Sequence, residues 1–296
     1  MSALVACDLD RTLIYSPKAF WLETPDPLAP PIVVSELWNG VPISFMTRES
    51  ERLLLELRRH AEFVPVTTRT IAQYQRVQLG APPRFAVTSN GGEILVDGVR
   101  DAAWGDGVRS RLATSSAPLA EVRALLEDPV AAGWILKTNV ADELFVYSIV
   151  DRETMPESWL AELHATCESF EWSVSVQGRK LYCVPRVLTK RRAVSEVAER
   201  MTDPGSARPR ILAAGDSLLD QPMLEGADAA FRPAHGELHD EGFAAENLTV
   251  TEARGILAGE ELLRLLTAAA LDAGDRTAGN LAVSGPRNPG IPVTRA

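Results

Sequence analysis

The hydrophobic residues of this chain form short unbroken runs that alternate with segments of helical periodicity. An unbroken run such as Ala3 to Cys7 is typical of a strand buried on both faces, because it leaves no polar face for solvent. Segments between these runs, such as residues 53–57, carry leucines spaced for one face of a helix. This alternation of strands and helices over the first hundred residues predicts βαβ units and a parallel sheet.

The pattern changes between residues 101 and 185, where paired strands accompany two helices. The predicted strands there are 134–137, 144–150, 172–176 and 180–184, and the predicted helices are 119–126 and 157–170. Paired strands with a few helices are typical of a small α+β domain with an antiparallel sheet. We therefore predict an α/β fold with a Rossmann-like three-layer parallel-sheet core (1–100 and 186–271) and an inserted α+β cap domain (101–185).

Two segments depart from the alternation of strands and helices. Asn39-Gly40 separates two short apolar runs, which is a strong hairpin signal. This hairpin would lie either as a flap beside the ligand crevice or as a surface excursion. Residues 272–296 are rich in Gly, Pro, Arg, Thr and Ala with little periodicity, so we expect a disordered tail.

Composition and charge narrow the class of protein. With 46% hydrophobic and 24% charged residues, the chain has the profile of an ordinary globular protein with a sizeable core. Its net charge of −10 argues against nucleic acid or an anionic membrane as a partner. Three cysteines without metal-type spacing indicate reduced thiols, and neither a signal peptide nor a membrane-length apolar run is visible. We expect a cytoplasmic protein, and the oligomeric state stays unknown.

Polar residues stand at the ends of several predicted core strands and at the start of one helix. They are Asp8, Asp10, Thr12, Thr67, Lys190, Asp216 and Asp220. Because the carboxyl ends of parallel strands meet at one edge of a sheet, we expect these distant residues to converge. Two aspartates at that edge, with a cation between them, would form a site for phosphate chemistry.

In their order along the chain, these motifs resemble those of the haloacid dehalogenase (HAD) superfamily of aspartate-nucleophile phosphotransferases. Asp8-Leu-Asp-Arg-Thr-Leu matches the first motif and Thr67 the second, while Lys190 fits the third and Gly215-Asp216-Ser-Leu-Leu-Asp220 the fourth. The cap lies between the second and third motifs, as in the Cof-type branch with sucrose-phosphate phosphatase. The resemblance covers roughly residues 3–271.

The resemblance implies a Mg²⁺-dependent phosphatase that acts on a small phosphorylated metabolite, in particular a sugar or polyol phosphate. Asp8 would attack phosphorus and carry an aspartyl-phosphate, and Asp10 would serve as general acid and base. The protein ligands of Mg²⁺ would be Asp8, the backbone carbonyl of Asp10, and Asp216. Asp220 would be a further ligand or would hold a metal-bound water.

Other residues are expected to bind the phosphoryl group or the rest of the substrate. Lys190 is a point charge suited to phosphate oxygens and to Asp8. The remaining contacts implied are Thr67, the backbone N–H groups of Leu9 and Thr68, Thr12, Arg69 and Asn90. For Asn90, which precedes Gly91-Gly92, a simple turn and a reach into the crevice are equally supported.

Some charged residues bear on the substrate. Arg11 stands where glycine is common in the family, which places a guanidinium near the entrance. Candidate substrate contacts in the cap are Lys137, Arg152, Arg179 and Lys180, although most charges on such a domain are simply solvated. Two other functions stay open: a phosphomutase-type phosphotransferase with the same site, and a retired enzyme that binds a metabolite or a protein.

Overall fold

The computed structural model describes residues 3–283, and its largest sheet has five parallel strands. These strands are β1 (Ala3–Cys7), β4 (Glu62–Pro65), β12 (Arg210–Ala214), β13 (Ala229–Arg232) and β14 (Leu248–Val250). Their order in the sheet is β14-β13-β12-β1-β4, so β1 lies inside the sheet, between β12 and β4. The predicted parallel sheet is confirmed.

Helices cover both faces of this sheet. They are α1 (Arg48–His60) and α9 (Ile256–Val283) on one face, and α6 (Lys190–Arg200) and α7 (Gln221–Glu225) on the other. Alternate residues of β1 point to opposite faces. Val5 shares a buried cluster with Leu54 and Leu263, whereas Leu4 shares a different one with Val194. The three-layer core therefore follows from the unbroken apolar run of β1.

The predicted hairpin is also present. It consists of β2 (Ile32–Trp38) and β3 (Val41–Thr47), joined by Asn39 and Gly40 with φ angles of 48° and 79°. Two successive positive φ angles fit the tight turn that an Asn-Gly pair favours. The hairpin leads directly into α1, since Thr47 is both the last residue of β3 and the N-cap of that helix. The Thr47 hydroxyl accepts a hydrogen bond from the Ser50 N–H at 2.9 Å.

The inserted α+β unit, which we call the cap, contains a four-stranded antiparallel sheet in the order β10-β11-β9-β8. The strands are β8 (Ile135–Ala141), β9 (Phe145–Val150), β10 (Trp172–Gln177) and β11 (Lys180–Pro185). Its helices are α3 (Ala102–Ser115), α4 (Leu119–Leu126) and α5 (Glu157–Ser169). The predicted fold class, a parallel core with an inserted α+β cap, is confirmed, and the boundaries 101–185 remain our assignment.

Helix α3 is an element that the sequence pattern did not predict. It contains Gly105, where a Cβ atom would lie 2.1 Å from a side-chain nitrogen of Arg100 and 2.6 Å from a carboxylate oxygen of Glu93. The small residue therefore permits close packing, although glycine lowers the helical propensity of the segment. A second addition follows β5 (Phe85–Thr88): after a short turn, the chain pairs back as β6 (Glu93–Val96) and β7 (Val99–Arg100).

Three helices differ from expectation or were not anticipated. Helices α2 (Ile71–Tyr74) and α8 (Glu237–Asp240) are each about a single turn. Helix α9 extends to Val283, which includes the first part of the predicted tail, and residues 284–296 lie outside the described residues. Alanines at 268–270 and beyond favour this continuation. Among residues 3–283, no helix is both long enough and apolar enough to cross a membrane.

Candidate active site

Three buried aspartates, Asp8, Asp216 and Asp220, meet at the carboxyl edge of the parallel sheet. One carboxylate oxygen from each lies within 4.8 Å of those from the other two. The register of β1 against β12 explains the meeting, because Cys7 lies opposite Ala214 and the two strand ends are therefore adjacent. The convergence expected from the sequence is observed for these residues.

Lys190 completes this cluster from a different element, the first turn of α6. Its Nζ atom lies 2.5 Å from Asp8 Oδ1 and 2.5 Å from Asp220 Oδ1, and the side chain is buried. Burial alone would lower the pKa of Lys190, but Asp220 and Asp8 raise it above its ordinary value. Lys190 is therefore a fixed positive charge between these two aspartates.

Asp220 organises the loop that carries Asp216. Its Oδ2 atom accepts hydrogen bonds from the Ser217 N–H at 3.0 Å, the Ser217 hydroxyl at 2.7 Å and the Asp216 N–H at 3.2 Å. Gly215 lies so close that a Cβ atom there would be 2.4 Å from the Asp220 carboxyl carbon. Both carboxylate oxygens of Asp220 therefore have protein partners, so its geometry favours holding Lys190 and the loop over direct metal ligation.

The cluster contains more negative than positive charge. Burial raises the pKa of Asp8 to about 7 although Lys190 opposes the shift, and burial together with Asp8 raises the pKa of Asp216 well above its ordinary range. A divalent cation would offset this buried charge, and Mg²⁺ prefers carboxylate and carbonyl oxygens. The backbone carbonyl of Asp10 accepts no hydrogen bond from any other described residue. The donor set therefore fits such a cation.

Potential phosphate donors follow the neighbouring strand, β4. Thr67 is buried. It follows the strand next to the one that Asp8 follows, since the Val66 N–H donates a hydrogen bond to the Cys7 carbonyl at 2.8 Å. The Thr67 hydroxyl accepts a hydrogen bond from the Arg69 N–H at 3.2 Å. Among the described residues, the backbone N–H groups of Leu9 and Thr68 have no acceptor. These donors are available to a phosphate, and their roles stay predictions.

Two other predicted contacts, Asn90 and Thr12, differ in whether the protein itself supplies a hydrogen-bond partner. The Asn90 amide donates to the Leu188 carbonyl at 2.9 Å, which favours a structural role over a reach into the crevice. Next to it, Gly91 has a φ of 94°, and a Cβ atom there would lie 2.3 Å from the Thr189 carbonyl oxygen. This turn therefore positions the start of α6, and with it Lys190. Thr12 is buried and its hydroxyl has no partner among the described residues.

Asp10 lies apart from the aspartate cluster and pairs with Arg69. The two side chains form a bidentate contact, with Nε to Oδ2 at 2.7 Å and Nη2 to Oδ1 at 2.8 Å. Burial would raise the pKa of Asp10, but the charge and hydrogen bonds of Arg69 outweigh it and hold that pKa well below its ordinary value. Asp10 is therefore ionised in this arrangement, and it would have to gain a proton before it could act as the general acid that the sequence predicts.

The same arginine is held from the other side by Glu36, a buried residue of the β2–β3 hairpin that the sequence analysis missed. Glu36 Oε2 accepts from Arg69 Nη1 at 2.7 Å and from the Ser44 hydroxyl at 3.1 Å, while Oε1 accepts from Arg76 Nε at 3.0 Å. A carboxylate within an apolar strand segment was the available signal. The hairpin therefore lies against the site, as the flap interpretation expects.

A cavity of about 600 Å³ lies between the core, the hairpin and the cap. Its lining includes Asp10, Arg11, Trp21, Arg69, Arg179 and Lys180. Of the four candidate cap cations, Arg179 and Lys180 line this cavity, whereas Lys137 and Arg152 do not. Because Asp10 lines the cavity, a molecule bound in the cavity would lie next to the candidate active site.

Half-buried carboxylates connect the cap to the core at two places. Glu237, on α8 of the core, accepts hydrogen bonds from the Ser175 hydroxyl at 2.7 Å and the Val176 N–H at 2.9 Å, both on β10. From the cap, Asp142 accepts from the Ile71 N–H at 3.1 Å and from the Ser89 hydroxyl. These contacts describe a cap that is closed on the core.

Arg11 has an unusual backbone conformation that a histidine supports. Its φ is 64°, and its carbonyl accepts a hydrogen bond from His235 Nε2 at 2.8 Å. The other ring nitrogen, Nδ1, accepts from the Gly255 N–H at 3.2 Å, so the proton of the neutral ring is on Nε2. Burial is the main reason that the pKa of His235 falls to about 4.

We expect this histidine to make stability depend on pH. The pKa of His235 is about 4 in the folded protein and 6.5 for an ordinary histidine, as in the unfolded chain. As the pH decreases, the unfolded chain therefore binds the proton first, and the free energy of unfolding falls between pH 6.5 and pH 4. The full shift corresponds to at most about 3 kcal/mol. In urea unfolding at several pH values, His235→Gln should lose less stability on acidification than wild type. His60→Gln is the matched control, and an unchanged slope for His235→Gln would contradict the assignment.

Comparison with known proteins supports the fold. No family model and no curated protein matches the chain. Sucrose-phosphatase from Synechocystis sp. PCC6803, solved with sucrose and phosphate, is 15% identical, with a TM-score of 0.58 over 90% of this chain and 98% of that chain. The C-terminal domain of C. albicans trehalose-6-phosphate phosphatase is 13% identical, with a TM-score of 0.55 over 90% and 92%. A HAD subclass IIB sugar phosphatase is 12% identical, with a TM-score of 0.53 over 90% and 99%.

Sequence identities of 12–15% establish a shared fold and no more. These neighbours cover both the parallel core and the inserted cap, since each alignment includes 90% of the chain. The resemblance inferred from the four motifs therefore agrees with the fold found by comparison: the chain has the fold of the HAD superfamily phosphatases.

Proposed function

We propose that this protein is a Mg²⁺-dependent phosphatase that hydrolyses a small phosphate monoester through an aspartyl-phosphate on Asp8. The observation that carries this proposal is the buried cluster in which Lys190 contacts Asp8 at 2.5 Å beside Asp216. Two of the neighbours are named for sucrose phosphate and trehalose 6-phosphate chemistry. By this analogy, we propose a sugar or polyol phosphate as the substrate class.

The cluster provides a nucleophile with one oxygen held and the other available. Lys190 binds Asp8 Oδ1, which leaves Oδ2 to form the bond to phosphorus as the bond to the leaving oxygen breaks. Asp8, Asp216 and the Asp10 carbonyl would hold Mg²⁺, which offsets the repulsion between carboxylate and phosphate dianion. The N–H groups of Leu9 and Thr68 and the Thr67 hydroxyl would bind the other phosphoryl oxygens.

Asp10 would then transfer the proton in both steps. As an acid it would protonate the departing alcohol oxygen, and as a base it would deprotonate the water that attacks phosphorus and releases Asp8 and inorganic phosphate. The negative charge of an arriving phosphate monoester both raises the pKa of Asp10 and competes for Arg69. Protonation of Asp10 would therefore accompany substrate binding.

A phosphate-release screen with and without Mg²⁺ tests the proposal. We expect release of inorganic phosphate from at least one sugar or polyol phosphate, its loss with EDTA and its return with added Mg²⁺. Asp216→Asn should raise the half-saturating Mg²⁺ concentration by at least about tenfold, because it removes a ligand. Asp203→Asn, an exposed residue of the same core, is the control. Full activity in EDTA would refute the metal role, and an isomerised phosphate ester as product would indicate a mutase.

A further inference from the structure

The cavity between core, hairpin and cap has a charge opposite to that of the whole chain. The chain carries a net charge of −10, yet five basic side chains line the cavity against two carboxylates, those of Asp10 and Glu36. The basic residues are Arg11, Lys18, Arg69, Arg179 and Lys180. An acidic protein with a basic pocket concentrates its positive potential where an anion binds.

Most of these cations lack a carboxylate partner. Asp10 and Glu36 both pair with Arg69, which accounts for the two negative charges. Within residues 3–272, no ion pair within 4.0 Å is found for Lys18, Arg179 or Lys180.

Arg11 is the cavity cation that forms an ion pair with the aspartate cluster. Its only ion pair among the described residues is a long one, 3.8 Å from Nε to Asp216 Oδ2, and that Nε atom is buried without a hydrogen-bond partner. Its guanidinium carbon lies 5.1 Å from the centre of the Trp21 ring, which stacks it at the cavity wall. A buried unpaired donor beside a cavity is a site for an acceptor on a ligand.

The reacting phosphoryl group would have other partners, since Lys190 and the aspartate cluster do not line this cavity. The cavity cations come from two sides: Arg11 and Lys18 follow β1 in the core, whereas Arg179 and Lys180 stand at the β10–β11 turn of the cap. With a volume of about 600 Å³, the cavity is large enough for a small metabolite between these two pairs of cations.

We propose that the leaving group of the substrate carries a second anionic group, a carboxylate or a second phosphoryl group, that binds between Arg11 of the core and Lys180 of the cap. The proposal rests on the proposed phosphatase function and narrows its substrate class. A charge-assisted hydrogen bond from each cation would hold the anion, and closing the cap would bring the two cations together.

Matched substrate pairs test this directly. Glycerol 3-phosphate and 3-phosphoglycerate differ by a carboxylate, and fructose 6-phosphate and fructose 1,6-bisphosphate differ by a phosphoryl group. We expect kcat/KM with Mg²⁺ to be at least about tenfold higher for the more anionic member of one pair, because a hydrogen bond between charged groups contributes that much or more. The pair that shows the preference identifies the anion as carboxylate or phosphoryl.

Amino-acid substitutions test which side chains produce the preference for the more anionic substrate. Lys180→Met and Arg11→Met should each lower the kcat/KM ratio of the preferred pair toward one, with folding checked by circular dichroism. Lys137→Met is the matched control, because Lys137 is an exposed cap lysine on β8 that does not line the cavity, and it should leave the ratio unchanged. Equal kcat/KM within both pairs would overturn the proposal while phosphate release continued to support the phosphatase.

Calorimetric titration separates the two proposals further. The Asp8→Asn protein should bind 3-phosphoglycerate or fructose 1,6-bisphosphate at least about tenfold more tightly than the less anionic partner of the same pair. If this preference is found and no phosphate is released from any substrate by the wild type, the anion site stands and the phosphatase function fails. If binding shows no preference, the anion site fails whatever the activity.

Discussion

Replacing Asp8 with asparagine is expected to reduce phosphate release by at least about 10³-fold, because an amide cannot form the covalent bond to phosphorus. The substitution preserves size, and an asparagine Oδ1 can still accept the hydrogen bond that Lys190 gives to Asp8 at 2.5 Å. The measurement is the initial rate of phosphate release in Mg²⁺ with the best substrate of the screen. A variant that released phosphate at the wild-type rate would exclude Asp8 as the nucleophile.

Stability separates a chemical effect of this substitution from unfolding. Burial raises the pKa of Asp8 to about 7 although Lys190 opposes the shift, so the buried carboxylate is unfavourable without a divalent cation. Asp8→Asn should therefore unfold at the same temperature as the wild type or higher when both are measured in EDTA. A lower unfolding temperature in EDTA would mean that the loss of activity reflects damage to the fold.

The covalent intermediate gives a second test of the same residue. Acid-quenched wild-type protein, mixed with substrate and Mg²⁺, should carry one phosphoryl group on the peptide that contains Asp8, as detected by mass spectrometry. Asp8→Asn should carry none, whereas the surface control Asp203→Asn should be labelled like the wild type. A phosphoryl group on a different residue would replace Asp8 in the mechanism.

The parallel core was predictable because a strand buried on both faces is visible in the sequence as an unbroken run of apolar residues. β1 is apolar at every position, and three of the four polar motifs begin where an apolar run ends, while Lys190 stands at the start of a helix. A doubly wound sheet brings such ends together whatever their distance along the chain. For this reason Asp8 and Lys190, 182 residues apart, could be expected in one site before their contact was seen.

The partners within the site were less predictable, since side-chain pairing depends on tertiary geometry. The sequence places Asp10 and Arg69 at one edge, but it does not tell whether the guanidinium contacts Asp10 or a phosphate. The burial of Glu36 could not be predicted for another reason, because the register between β2 and β3 shifts on both sides of this residue. A β-bulge breaks the alternation from which a buried position is inferred.

Helix α3 shows a further limit of sequence patterns. Only Trp104, Gly105 and Val108 are buried along it, so it has a narrow apolar face. Two glycines, Gly105 and Gly107, favour a loop interpretation, although Gly105 permits the close approach of the Arg100 and Glu93 side chains. Tertiary packing, rather than local propensity, decides the structure of this segment.

Asp10→Asn is expected to lower kcat by about 10² to 10⁴-fold, the range that general acid–base catalysis contributes. Asparagine can accept one hydrogen bond from Arg69 but can neither donate a proton to the leaving oxygen nor remove one from water. Glu93→Gln is the matched control. Like Asp10, Glu93 is a carboxylate paired with arginine, at 2.8 Å from both Arg100 and Arg109, but it lies outside the aspartate cluster and does not line the cavity.

The leaving group tests which of the two proton transfers depends on Asp10. p-Nitrophenolate departs without protonation. Asp10→Asn should therefore slow the first step, formation of the aspartyl-phosphate, less with p-nitrophenyl phosphate than with an alkyl phosphate. A burst of p-nitrophenolate followed by slow turnover would show that the remaining defect lies in hydrolysis of the intermediate, where Asp10 acts as the base. If Asp10→Asn kept full turnover on the alkyl phosphate, the acid–base role would be wrong, and the contact with Arg69 would be purely structural.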